Sequence, residues 1–240
     1  MTNTNEDNVT FRGWEYSESG DFHEKPDPNW CYTPTYLKKN KICDQFVFNF
    51  SETSRILDAG CGEGVFVKKY LKRGYNISGI DLNYESDYVS RGDITQLAHP
   101  PDTFDAVLCL DVLEHLTFPD QTKVLQQFHK ILRNDGKLLI SVPNLSHIGS
   151  RFHFFFRGDL KRTDCEYNHI SERPYREWIA LIDENGFSIN KSTGVTLSFP
   201  ILYGILICKN PSKYLWLHNF LDNFAIPRLA MYNFFECRKG

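Results

Sequence analysis

Between Arg55 and Asp81 the chain reads RILDAGCGEGVFVKKYLKRGYNISGID, an apolar run, a glycine cluster, an amphipathic stretch, a second apolar run and a terminal acid. That order leaves few architectures open: strand, tight loop, helix and parallel strand, the opening unit of a doubly wound α/β sheet. Ile56 and Leu57 carry Asp58 to a strand end, where Gly60, Gly62 and Gly64 let the backbone turn and approach a ligand without Cβ interference. Val65 to Arg73 reads as a helix closed by Gly74, and Asn76 to Ile80 as the next strand. Asp81, at the carboxyl end of that strand, has the placement of an acid that grips ribose hydroxyls. The unit therefore predicts a nucleoside-bearing cofactor.

The glycine spacing chooses among such cofactors. A dinucleotide site wants G-x-G-x-x-G, but position 65 is Val, and Asp58 and Glu63 bracket the loop with negative charge. Those acids repel a pyrophosphate and suit an ammonium. Downstream, Tyr88 to Ile94 reads as a third strand running into Asp93, and Phe104 to Val112 as a strand buried on both faces. Pro119 to Leu132 has helical spacing, Asn134-Asp135-Gly136 reads as a turn, and Lys137 to Val142 as another buried strand.

DAGCGEG resembles motif I of the class I S-adenosylmethionine-dependent methyltransferases, and LRNDGKLLISVPN resembles their later turn–strand segment, with Asp135 where Pro or Gly is usual. The resemblance covers roughly Thr53 to Val195. It implies an α/β Rossmann-like sheet, mostly parallel, with helices on both faces and an antiparallel last strand at Met231 to Arg238. It also implies S-adenosylmethionine as cofactor, with Asp58 and the loop carbonyls on the methionine ammonium, Asp81 on the ribose, Asp93 on the adenine amine and Ile94 against the ring. Gly60, Cys61, Gly62, Gly64, Leu82 and Leu110 complete that expected pocket. DVLEHL, VPN and a later acid-to-His element resemble the branch holding ubiquinone-biosynthesis O-methyltransferases and methyltransferases of sugar, antibiotic and envelope pathways. For the chemistry, Asp111, Glu114 and His115 stand after the fourth strand, spaced to share one helical face, with His115 as the first choice of proton acceptor. In some relatives a similar element binds a divalent metal with a further His, here His169. Metal binding is the less favoured expectation, with Asp111 as a helix cap and Glu114 in a structural hydrogen bond as the alternative.

Outside this core, residues 1–50 are expected to form a polar tail and an aromatic cap (Trp14, Tyr16, Phe22, Trp30, Tyr32, Tyr36), and 51–240 the methyltransferase domain with insertions at 145–173 and 198–230. Within the cap, Lys38 to Phe50 reads as a helix. The first insertion carries His147, Arg151, His153, Arg157, Lys161, Arg162, Asp164, Tyr167, His169 and Arg173, fit either for an anionic acceptor or for a solvated basic loop. The second reads as helix, Asn-Pro break, helix, and its Tyr214, Trp216, Phe220 and Phe224 suit core, dimer face or peripheral membrane contact. A net charge of −3 supplies no bulk attraction to nucleic acid, and seven unpatterned cysteines suit a reducing, cytoplasmic setting. Cys61 reads as packing rather than nucleophile. The reading is methyl transfer, with an O-methyl product, to a small-molecule acceptor such as a sugar or glycolipid precursor. Metal-assisted methylation of an RNA-end ribose and an inactive binding subunit stand as alternatives.

Overall fold

A computed structural model describes residues 11–12, 26–163, 169–200 and 202–240. Seven strands form the main sheet: β2 (Ile56–Ala59), β3 (Ile77–Asp81), β5 (Val89–Arg91), β6 (Phe104–Leu110), β7 (Leu132–Pro143), β8 (Phe187–Val195) and β9 (Tyr232–Lys239). Their spatial order is β5-β3-β2-β6-β7-β9-β8, and only β9 runs against its neighbours. A separate two-stranded ribbon pairs β1 (Phe11–Arg12) with β4 (Tyr84–Glu85). The expected α/β sheet is present, with the antiparallel strand where it was placed, one residue later at each end.

Alternation along the strands explains the two-sided burial. Leu57, Ala59, Val107 and Cys109 point to one face, under α3 (Phe118–Ile131) and α5 (Tyr175–Glu184) through Val124, Phe128, Trp178 and Ile182. Ile56, Ile77, Ala106 and Leu108 point to the other, under α1 (Thr33–Val47) and α2 (Val65–Leu71) through Tyr36, Phe46, Phe66 and Tyr70. Both faces of the parallel strands are dry, as their nearly continuous apolar sequences require. The helix expected from Lys38 begins five residues earlier, because Pro34 sits in its first turn, where a missing N–H costs nothing.

The Asn134-Asp135-Gly136 turn lies inside β7. Pairing with β6 jumps from Phe104↔Leu132 to Ala106↔Lys137, and Asp135 takes a left-handed φ of 64° in the loop thrown out between them. The basic insertion is solvated from Arg151 to Arg162 but not a loop throughout, since Ile148–Arg157 is a helix, α4, whose first turn is capped by His147 Nδ1 accepting the Ser150 N–H. The second insertion follows its expected pattern: a π-helical turn at Leu202–Ile207, the Asn210-Pro211 break, then α6 (Leu215–Asp222). Buried Asp222 moors it, accepting the Thr196 N–H at 2.8 Å with Lys38 Nζ 3.6 Å away.

Candidate cofactor and acceptor site

The strand order reverses direction between β2 and β6, and the loops leaving their carboxyl ends flank the crevice where open α/β sheets bind ligands. At the end of β2, Gly60, Gly62 and Gly64 all hold left-handed φ values, 76°, 56° and 75°. A Cβ on Gly60 would lie 2.5 Å from Val112 Cγ2, so that glycine serves close packing as well as turning. Cys61 packs its sulfur on Gly79 of β3, where an added Cβ would meet it at 2.6 Å. Gly64 is the N-cap of α2 and offers no side chain to its first N–H groups.

Asp81 ties the loop in place. Its Oδ2 accepts the Gly62 N–H at 2.7 Å and its Oδ1 the Asn83 N–H at 2.8 Å. A carboxylate held in this way has the two acceptor oxygens that a pair of vicinal hydroxyls requires. Asp58 is buried beneath the loop. Desolvation, with Asp81 nearby and the Lys39 ammonium opposing, pushes its carboxyl up to about 7. A cation reaching this carboxylate replaces the missing solvation, so the site fits an ammonium and penalises a phosphate. Asp93 Oδ1 accepts the Thr95 N–H at 2.8 Å, fixing the turn that buries Ile94, while Leu82 is exposed and Leu110 buried. The described cavity between α1 and α2, about 330 Å³, is lined by Tyr36, Asn40, Val65 and Lys68 and by none of these residues.

Across the crevice the acceptor-side residues divide. The spacing predicts Asp111, Glu114 and His115 on one helical face, but Asp111 has a left-handed φ of 57° and only Leu113–His115 form a short 3-10 turn. Asp111 consequently turns to Lys39 Nζ at 2.8 Å, the Tyr32 hydroxyl at 2.8 Å and the Ser141 hydroxyl. Burial alone would raise its pKa, but Lys39 and these hydrogen bonds hold it at about 2. It does not cap the following turn, whose N-cap residue is Val112. Glu114 also departs from expectation: its side chain is fully buried and, among the described residues, neither carboxyl oxygen has a hydrogen-bond partner. Burial first, then Asp111 and Glu172, raise its pKa well above the carboxylate range.

Glu114, His115 and His169 instead form the cluster, each with a ligand atom within 4.8 Å of the others. The His115 and His169 rings meet edge to face at 4.8 Å. His169 belongs to a distant segment that Gln121 and Ser171 bind to the 3-10 turn. Gln121 Nε2 donates to Leu113 O at 2.8 Å and Ser171 O at 3.0 Å, and the Ser171 hydroxyl donates to Leu116 O. Buried Glu172 accepts His169 Nδ1–H at 2.6 Å and the Thr163 hydroxyl at 2.6 Å, which fixes Nδ1 as a donor and turns Nε2 away from Glu172. Asp164 and Tyr167 lie outside the described residues.

Lys39 and Glu172 escaped the sequence reading, while Tyr32 was expected in the aromatic cap and here donates its hydroxyl to Asp111. Lys39 had a visible signal, because it interrupts the apolar stripe Tyr36, Cys43, Phe46 of α1 at helical spacing, and a lysine there needs a buried anion. Glu172 stands three residues after His169, a spacing with no secondary structure to give it meaning.

The profile of the family described as "Methyltransferase domain" matches residues 35–192. A ubiquinone biosynthesis O-methyltransferase from Aeromonas salmonicida is 33% identical over 105 residues, 38% of this chain and 43% of that protein. The chain thus spans under half the length of that relative. Among solved structures, a SAM-dependent methyltransferase from Archaeoglobus fulgidus aligns over 84% of this chain and 94% of its own, with TM-score 0.56 at 17% identity. The 1,6-didemethyltoxoflavin-N1-methyltransferase of Burkholderia thailandensis, solved with S-adenosylhomocysteine, aligns over 78% of this chain and 71% of its own, with TM-score 0.51 at 19% identity. With a left-handed glycine loop, an acid closing β3 and this strand order, the chain belongs to the class I S-adenosylmethionine-dependent methyltransferase family.

Proposed function

We propose that the chain catalyses methyl transfer from S-adenosylmethionine to a hydroxyl of a small-molecule acceptor, a sugar or glycolipid precursor being the leading class. The observation that carries this is Asp81 held by the Gly62 and Asn83 N–H groups beside a buried Asp58. When bound, S-adenosylmethionine supplies an electrophilic methyl on a sulfonium. Asp58 and the loop carbonyls hold the amino-acid ammonium, Asp81 the ribose, and Asp93 with Ile94 the adenine. The protein's task is then geometric, to keep the nucleophile in line behind the methyl, and such positioning is worth several kcal/mol of barrier. His115 is exposed beside the buried pair Glu114 and His169, in position to receive the acceptor's hydroxyl proton. Glu172 orients His169 through Nδ1.

A second reading of this cluster, in which Glu114, His115 and His169 hold a divalent cation, is favoured by two observations. Among the described residues both Glu114 oxygens lack partners, and a carboxylate anchors the far nitrogen of His169, as the hydrogen-bond partners of metal-ligating histidines do. Calorimetry on chelator-treated protein separates the readings. Binding of S-adenosylmethionine and S-adenosylhomocysteine but not NAD is expected, with affinity abolished in Asp81→Ala and kept in His115→Ala, whose turnover falls about a hundredfold. Saturable Mg²⁺, Mn²⁺ or Zn²⁺ binding lost in His169→Ala selects the cation reading. Full cofactor affinity in Asp81→Ala overturns the ribose assignment.

A further inference from the structure

The second insertion is fastened to the start of α1 at several points. The Ser212 hydroxyl donates to Asn29 Oδ1 at 3.2 Å, the Thr35 and Thr196 hydroxyls lie 2.6 Å apart, the Thr35 and Tyr203 side chains hydrogen-bond, and Lys38 Nζ stands 3.6 Å from Asp222. Among these contacts the fold sets two thiols against each other. Cys31, in the turn that precedes α1, hydrogen-bonds through its side chain with Cys208, which directly follows the π-helical turn and lies far along the chain. We propose that Cys31 and Cys208 form a modification site, a dithiol that a small-molecule disulfide such as oxidised glutathione converts to an intramolecular disulfide.

Access and chemistry both single out this pair. Cys31 is exposed and Cys208 half-buried, whereas among the other described cysteines Cys43, Cys109 and Cys237 are buried and Cys61 is packed on Gly79. The Cys31 contact first, then burial, raises the Cys208 thiol above its ordinary range, so the exposed Cys31 sulfur is the one that attacks. Its thiolate displaces one small thiolate from the reagent and leaves a mixed disulfide. Bonded in that way, Cys31 no longer holds the Cys208 proton, and the nearby Lys161 ammonium favours the Cys208 thiolate. The Cys208 sulfur then attacks the Cys31 sulfur and expels the second small thiolate. Over the two steps one S–S bond forms and one breaks, two electrons pass from the protein sulfurs to those of the reagent, and the two thiol protons leave with the two small thiols. A pair that closes only under oxidant suits a sensor, the use that reducing compartments leave for disulfides. The consequence is mechanical. Cys31 adjoins Tyr32, whose hydroxyl donates to Asp111 at 2.8 Å, so the new bond ties the second insertion to the segment that holds the loop after β6. The inference does not rest on methyl transfer.

Incubation of the purified full chain with oxidised glutathione, followed by tryptic digestion without reductant and mass spectrometry, tests it. The expected product is a peptide pair joined through Cys31 and Cys208 and reopened by dithiothreitol. Because the bond closes a long loop of the unfolded chain, the oxidised protein is expected to melt about 5–15 °C above the reduced one, with slower amide exchange across 202–208. Cys31→Ser and Cys208→Ser should each abolish the cross-link and the rise in Tm, while in dithiothreitol both melt with the wild type and so report a folded chain. Glutathione on both cysteines without a cross-link, a bond from either to Cys165, a disulfide between two copies, or no reaction of either thiol overturns the proposal. So does a Cys31–Cys208 bond that forms only after urea has unfolded the chain, since the fold then does not present the pair.

Discussion

Asp58, buried, and Asp111, half-buried, lie on either side of the crevice with opposite proton affinities. Asp58 is held up to about 7 by burial, so between the ordinary carboxylate pKa near 4 and pH 7 the folded protein keeps a proton that the unfolded chain has released. Stability of the ligand-free protein is therefore expected to fall as pH rises through that window and to level off above it. Cofactor affinity should run the other way, rising roughly tenfold per pH unit up to about 7, because an ammonium needs the carboxylate. Calorimetry across pH 5 to 8 checks this, and Asp58→Asn should flatten both dependences. Asp111 is ionised throughout, and what it contributes is lost only as pH falls from about 4 through about 2. Removing its buried partner strands an anion. Lys39→Met is expected to cost about 3–5 kcal/mol in denaturant unfolding, most of it recovered in Lys39→Met/Asp111→Asn.

Helices and strands were legible in the sequence wherever a local period or a glycine marked them. The β2–α2–β3 unit, the β6 strand and the helix–break–helix of the second insertion announced themselves by apolar runs, Gly74 and Asn210-Pro211. The acceptor cluster was only half legible. Spacing placed Asp111 with Glu114 and His115 on the assumption of an α-helix, and the left-handed backbone at Asp111 undid that assumption; no local residue signals it, since the bond that holds it runs to Ser141 on the neighbouring strand. The glycine loop offers a test at this level. Gly60 and Gly158 share a left-handed φ, but an added Cβ meets Val112 at 2.5 Å at the first and nothing within 4 Å at the second. Gly158→Ala should cost about 1 kcal/mol and Gly60→Ala about 3 kcal/mol, the latter lowering Tm by about 6–12 °C and weakening cofactor binding. Equal costs would mean that the loop yields to the clash.

Taken together, the fold divides its labour along the sheet. On the proposed reading, nucleoside recognition belongs to β2, β3 and β5 at one side and acceptor chemistry to the loops after β6 and β7, with the two insertions at that same carboxyl edge. The segments that distinguish this chain from a bare sheet, α1 with Lys39, α4 with its phenylalanines and the 198–230 insertion, all converge on that edge. They are joined there by long-range hydrogen bonds, Thr35 to Thr196 among them at 2.6 Å.

The place of β9 has a consequence for the order in which the protein is made. It pairs with β7 on one side and β8 on the other, and among the described residues β8 pairs with no other strand. While the ribosome is still synthesising residues 232–239, β8 has no seat in the sheet, whereas β2, β3, β5 and β6 are already complete. The nascent chain can therefore assemble the β2–β3–β5 side of the sheet early, and a ligand that binds there can settle a half-built molecule that still lacks the strand joining its far side.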